Sequence, residues 1–200
     1  GGRNEQYWFG PGSEDTWIDI DLASAYPTAM SLIGMTDWRG LYETTLLEEF
    51  KPTTLGFAWV DFKFPESTRY PTMPVRTNHG LVFPLEGTSY CSAPELFVAN
   101  TLGCQIKIRK GVIIPTNPDV RIFGQFIKEC IKKRLNAGSK TLEGLFWKEI
   151  SNSTYGKTAQ GLHKKRVYDM RDRDTKPLPP SRITNPCFAA YITSYVRAVL

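Results

Sequence analysis

Two short stretches of the sequence concentrate side chains that can handle charge. "WIDIDLASAYPTAM", residues 17–30, places Asp19 and Asp21 at the end of an apolar run and follows them with Ser24, Tyr26 and Pro27. Local folding alone does not require that order, and carboxylates there offer oxygen donors to a hard cation. In the second stretch, around residues 141–161, a helix turning about 100° per residue would bring Lys148, Asn152 and Tyr155 within roughly 60° of one another. Leu142, Phe146 and Ile150 would cluster on nearly the opposite side. One face would then pack and the other would present a cation, an amide and a phenol. That face ends at Gly156, where another backbone could approach closely. The alternative is an amphipathic helix whose polar face is merely solvated.

The charge is divided unevenly along the chain. Residues 1–120 carry a net of −5, residues 121–176 a net of +8, and the last 24 residues only two basic groups. The basic block continues into "GLHKKRVYDMRDR" and would attract a polyanion by counterion release; a solvated helical surface is the alternative. With 200 residues, 41% of them hydrophobic, one sizeable core is within reach, alone or with a smaller lobe. Apolar runs are too short to span a bilayer, and the N-terminal "GGRNEQYWFG" has no signal pattern. The expectation is a cytoplasmic protein with no membrane partner. Cys91, Cys104, Cys130 and Cys187 form no CxxC pair, and we read them as reduced, packed thiols rather than zinc ligands.

The elements that must position the charged groups can be read from periodicity and breakers. "TWIDID" reads as a strand, with Asp19 on the opposite face from Asp21. "SAYPTAMSLIG" reads as a short helix closing at Gly34, and "GFAWVDFKF" as a strand. "RTNHGLVFPLEGTSYC" is expected to be a hairpin with Gly80 and Gly87 as turn formers. "SAPELFVANTLGC" is expected to be a helix capped by Ser92 and stopped at Gly103. "QIKIRKGVIIP" reads as two short strands around Lys110 and Gly111. After Pro118, "VRIFGQFIKECIKKRL" and "TLEGLFWKEISNSTYGKTAQG" read as an antiparallel helical hairpin broken at Asn136 and Gly138. "TKPLPPSRITNP" reads as a connector, and Asn185 with Pro186 as the start of a last helix.

Taken together, "DLASAYP" (Asp21 to Pro27) and "KEISNSTYG" (Lys148 to Gly156) resemble motif A, D-x-x-S-L-Y-P, and motif B, K-x-x-x-N-S-x-Y-G, of the family B DNA polymerases. The downstream "ITNPCFAAYITSYVRA" looks like the helix that follows the fingers in the protein-primed phage and plasmid branch. The resemblance covers about Trp17 to Leu200. Ala25 stands where the family usually has leucine, which alters packing under the nucleotide and not the chemistry.

The resemblance implies an α+β fold: a palm-type, mainly antiparallel sheet with packed helices, plus a fingers lobe made by the helical hairpin. Residues 1–118 would be the palm part with motif A, 119–163 the fingers with motif B, and 164–200 the return to the palm. The implied reaction is transfer of a dNTP to a primer 3′-hydroxyl with Mg²⁺ or Mn²⁺, commonly as two ions about 3.5 to 4 Å apart. Asp21 and the Leu22 carbonyl would be metal ligands, while Asp19, on the opposite face of the expected strand, is read as structural or as a support behind the ligands. Backbone N–H groups of Ser24, Ala25 and Tyr26 would meet the triphosphate, and the Tyr26 ring would lie under the deoxyribose and exclude a 2′-hydroxyl. Lys148 would neutralise the triphosphate and protonate the leaving pyrophosphate. Asn152 and Tyr155 would face the nascent base pair. Lys133, Arg134 and Lys140 offer further phosphate contacts, with Arg134 preferred for its planar fork. Tyr155, Gly156, Lys157, Lys164, Lys165 and Arg166 would contact DNA.

The resemblance also carries three expectations about what is missing: the family's third motif (an aromatic followed by D-T-D), a proofreading exonuclease and a thumb. None is found in these 200 residues, so the chain is expected to be the palm base and fingers of a longer enzyme, inactive alone. Expected partners are a primed DNA template, dNTPs and a terminal priming protein. The competing reading is a non-catalytic nucleic-acid-binding or priming-protein-binding module with the same fold.

Overall fold

Alternation of large apolar and polar residues in "LGFAWVDFK" forms the centre of the main sheet. The computed structural model of the chain describes residues 2–12 and 17–200. In order, the elements begin with α1 (Ala25–Ser31), β1 (Gly34–Thr36), β2 (Tyr42–Glu43), a 3₁₀ turn (Leu47–Glu49) and β3 (Leu55–Lys63). Next come β4 (Val75–Thr77), β5 (Gly80–Val82), β6 (Glu86–Ser92), α2 (Ala93–Thr101), β7 (Gln105–Ile114) and β8 (Thr116–Arg121). The last are α3 (Gly124–Ala137), α4 (Leu142–Ala159), β9 (Arg166–Asp169), β10 (Asp174–Pro177) and α5 (Pro186–Val199).

The antiparallel sheet runs β2-β7-β3-β6. One face of β3, made by Ala58, Val60 and Phe62, is buried with Leu96, Ala99, Met73 and Cys91 under α2. The other face carries Trp59, Asp61 and Lys63, which pair across the strands with Tyr90, Thr88 and Glu86. The helix α2 starts as its sequence dictates. The Ser92 backbone N–H donates to the Glu95 carboxylate at 2.9 Å and closes a capping box. A second core gathers Ala29, Met30, Ile33, Phe123, Ile127, Tyr191 and Ile192, so that α1, α3 and α5 meet. Asn185 caps α5 by accepting from the N–H groups of Cys187 and Phe188. All four cysteines are free thiols. No described helix is long and apolar enough to cross a membrane.

Several expectations are corrected. "QIKIRKGVIIP" is one continuous strand, β7, with an irregularity opposite Trp59 and Val60 rather than a break at Gly111. A Cβ at Gly111 would lie 2.5 Å from the Thr44 carbonyl, so this glycine serves close packing and not a turn. Gly80 follows the hairpin turn, but Gly87 sits inside β6. Val120 and Arg121 end β8 instead of starting a helix. The stretch that runs from the basic block into the connector contains an antiparallel hairpin, β9–β10. Residues 17–21 carry no strand, and Thr16 lies outside the described residues. No described strand pairs with residues 17–21, and a strand without a partner leaves its backbone groups to water. Trp17 and Ile20 accordingly stand 72% and 85% exposed, and the opposite-face argument for Asp19 falls with the strand.

Candidate functional site

Motif residues enter the site from two elements. Asp21 and Leu22 lie exposed just ahead of α1. Ser24 then adopts a left-handed conformation, φ 56°, without capping α1 through its side chain. A non-glycine residue in that region is uncommon and costs about 1 kcal/mol or more. The Ser24 carbonyl still accepts from the Thr28 N–H at 2.9 Å, and Tyr26 follows half-buried on the first turn of α1.

The second element is α4, positioned by a tight turn. Gly138 ends α3 at φ +88°, and Thr141 caps α4 by accepting from the Gly144 N–H at 3.0 Å. A Cβ on Gly144 would lie 2.0 Å from the Gly138 carbonyl oxygen, so only glycine fits there. The buried stripe of α4 is Gly144, Ser151 and Thr158, spaced seven residues apart and hence on one line of the helix. Ser151 and Thr158 satisfy their hydroxyls on their own helix, donating to the Lys148 and Tyr155 carbonyls. This corrects the predicted packing face. Leu142 and Phe146 are 86% and 57% exposed, while Lys148 and Tyr155 stand within about 60° of the inward stripe. Small residues let α4 approach its neighbours closely, and the larger apolar side chains are left outside.

The two elements meet at two rings. Tyr26 and Tyr155 stack with centroids 4.4 Å apart and planes 5° from parallel. Burial and the neighbouring Tyr26 push the Tyr155 phenol upward, opposed by the charge of Arg197. Beside them Asn152 is half-buried, and Lys148 is exposed one turn earlier. Gly156 opens onto free space, since a Cβ there would meet nothing within 4 Å.

The remaining candidates are spread along the basic half. Arg134 lies half-buried in the last turn of α3 and Lys140 is exposed in the turn. Lys133 is engaged elsewhere, with its ammonium 4.2 Å from the Trp147 ring centre. Lys157 donates to the Gln160 side-chain oxygen at 2.7 Å. Lys164, Lys165 and Arg166 are exposed at the entry to the β9–β10 hairpin, where Arg166 donates to the Thr175 carbonyl. Asp61 is committed to the outward face of the main sheet. It accepts from Arg109 at 2.7 Å and from Thr88 at 2.9 Å, and the Arg109 bond holds its carboxyl below the usual range. Among the described residues no group of three or more His, Cys, Asp or Glu could hold a metal. Asp21 and the Leu22 carbonyl would by themselves supply only part of a Mg²⁺ coordination shell, which is commonly completed by substrate phosphates and water.

Sequence reasoning missed Glu95 and Arg197. Glu95 is fully buried, and Arg197 donates to it from Nε at 2.9 Å. A further bond from a terminal guanidinium nitrogen is 2.8 Å long. Burial raises the Glu95 carboxyl above its ordinary value, with Arg197 acting against that. The pair faces a cleft of about 650 Å³ between the main sheet and α5, whose rim carries Trp59, Tyr90 and Lys110. An acid in the first turn of α2 signalled only a cap, and no local pattern connects it to α5.

Comparison with known proteins is consistent across sequence and fold. Residues 1–186 match the family described as DNA polymerase type B, organellar and viral. The primer-independent DNA polymerase PolB of Escherichia coli is 41% identical over 209 residues, covering 100% of this chain and 24% of its own length. The chain therefore spans about a quarter of that relative. Among solved structures, phi29 DNA polymerase in a ternary complex with primer-template DNA and incoming nucleotide superposes with a TM-score of 0.61 at 15% identity. That match covers 89% of this chain and 33% of the polymerase. An orthorhombic crystal form of the same enzyme gives 0.57 at 15% identity, over 89% and 34%.

Proposed function

The chain belongs to the organellar and viral type B DNA polymerases, and from that premise we propose that it forms the palm base and fingers of a DNA-dependent DNA polymerase. Residues 1–118 and 164–200 would make the palm part and 119–163 the fingers. The observation that carries this reading is the Tyr26–Tyr155 stack, which joins the two motif segments at one point.

In the proposed reaction the primer 3′-oxygen attacks the α-phosphorus of a dNTP and pyrophosphate leaves. The exposed Lys148 ammonium would neutralise the triphosphate and deliver a proton to the leaving group. Backbone N–H groups at Ser24, Ala25 and Tyr26 would orient the phosphates, while Arg134 and Lys140 would add contacts from the fingers. Tyr26 would lie under the sugar, and Asn152 and Tyr155 beside the new base pair. Asp21 and the Leu22 carbonyl would hold Mg²⁺ or Mn²⁺, which when bound neutralises the phosphate oxygens. Exposed Lys157, Lys164, Lys165 and Arg166 would track the DNA backbone near Gly156.

The test is primer extension beside DNA titration at two salt concentrations. Asp21 is the only carboxylate at a fixed position of the two motifs, Glu149 falling at a variable one, so the chain alone should bind primed DNA weakly and salt-dependently without extending it. A primer-free template belongs in the same assay, because the Escherichia coli relative is named primer-independent. Binding without any dNTP affinity would favour the non-catalytic module. Absence of both would refute the polymerase reading of this chain.

A further inference from the structure

The Glu95–Arg197 pair joins α2 to the last turn of α5 and is closed to solvent on the carboxylate side, where Glu95 is fully buried. A buried carboxylate is tolerated only when its oxygens are satisfied. Here the Ser92 N–H and hydroxyl and the Arg197 guanidinium satisfy them. The guanidinium is thereby held by a fork of two bonds at the end of α5. Val196 and Tyr195, its neighbours on that helix, pack in the same core as Tyr155 and Tyr26. The positive charge of Arg197 also works against the upward push on the Tyr155 phenol.

We propose that Glu95 is a positioning residue: by anchoring Arg197 it holds the end of α5, whose Val196 and Tyr195 pack in one core with Tyr155 and Tyr26, and so fixes that ring pair and sets nucleotide affinity. The last step rests on the nucleotide reading above. Nothing in the two motif segments points to Glu95, which lies in the first turn of α2 and lines the cleft with Arg197.

Glu95→Gln tests this with little change of shape. The amide oxygen still accepts from the Ser92 N–H, so the α2 cap persists, but the charged anchor for Arg197 is gone. In chain carrying isotope-labelled tyrosine, the ring resonances of Tyr26 and Tyr155 should shift and Tyr155 should titrate higher, while exposed Tyr168 stays in place. Affinity for dNTP should fall roughly tenfold with primed-DNA affinity unchanged. A merely structural Glu95 would lower the melting temperature and leave both rings where they were, which would overturn the proposal. If Glu95→Gln does not fold, Arg197→Lys carries the same test, since it keeps the charge and loses the fork; unmoved rings there overturn it equally. Shifted rings in a chain that binds no dNTP would support the positioning of the rings and refute the nucleotide reading instead.

Discussion

The Tyr26 and Tyr155 rings lie parallel, 4.4 Å between centroids, although one opens the short helix α1 and the other sits one turn before the end of α4. Each ring is the other's support, so a change in one is read by both. Tyr26→Val removes the stack and should cost about 1 to 2 kcal/mol of stability, since the ring is only half-buried. It should also widen the space under the sugar. Single-nucleotide insertion by the polymerase built on this chain should then accept rNTP more readily relative to dNTP. An unchanged ratio with normal folding would assign Tyr26 to packing alone.

Lys148→Ala removes the exposed cation beside the inward stripe of α4. The KM for dNTP should rise about ten- to a hundredfold, the equivalent of losing one bond to a charged group, with DNA affinity hardly altered. Steady-state kinetics beside a DNA titration separates the two. A loss confined to DNA affinity would place Lys148 on a template track.

The β9–β10 hairpin begins with three exposed cations. Replacing Lys164, Lys165 and Arg166 together by alanine should weaken DNA binding irrespective of sequence. The slope of log affinity against log salt should flatten by about 2 to 3. An identical slope would show that these cations face solvent in the complex.

Stability should depend on pH through Glu95. Its folded carboxyl titrates above the ordinary value of 4.5, so the native state holds this proton more tightly than the unfolded chain. The stability linked to Glu95 is therefore present below the unfolded value and is lost as pH rises through the raised folded one. Glu95→Gln should remove that dependence, so the difference in stability between wild type and variant in thermal melts should itself change with pH across that window. Arg197→Met leaves the buried carboxylate without its partner and should cost about 3 to 5 kcal/mol at neutral pH, with the loss easing on acidification. A cost independent of pH would show that Glu95 is protonated throughout.

Gly144→Ala tests the turn that aims α4. With the Gly138 carbonyl oxygen 2.0 Å from the added Cβ, the turn must open, at a cost of about 1 to 3 kcal/mol. Circular dichroism melts give the cost, and nucleotide affinity should fall with it because Lys148 and Tyr155 are carried on the same helix.

Sequence by itself determined what short-range hydrogen bonding and backbone stereochemistry control. The Ser92 start of α2, the Asn185–Pro186 start of α5 and the Gly138 break were legible because each is satisfied within a few residues, and β3 was legible from its alternation although its hydrogen bonds go to the distant β6 and β7. The two motif segments were legible too, because identities at fixed offsets survive without any knowledge of packing. Tertiary structure decided the rest. Periodicity could locate the apolar side of α4 but not its buried side, since close helix packing selected Gly144, Ser151 and Thr158 over Leu142 and Phe146. The apolar run at Trp17–Asp21 did not become a strand, because strand formation depends on a neighbour to accept its hydrogen bonds. The Tyr26–Tyr155 stack and the Glu95–Arg197 pair join groups far apart in the chain, and such pairings exist only once α1, α2, α4 and α5 have packed.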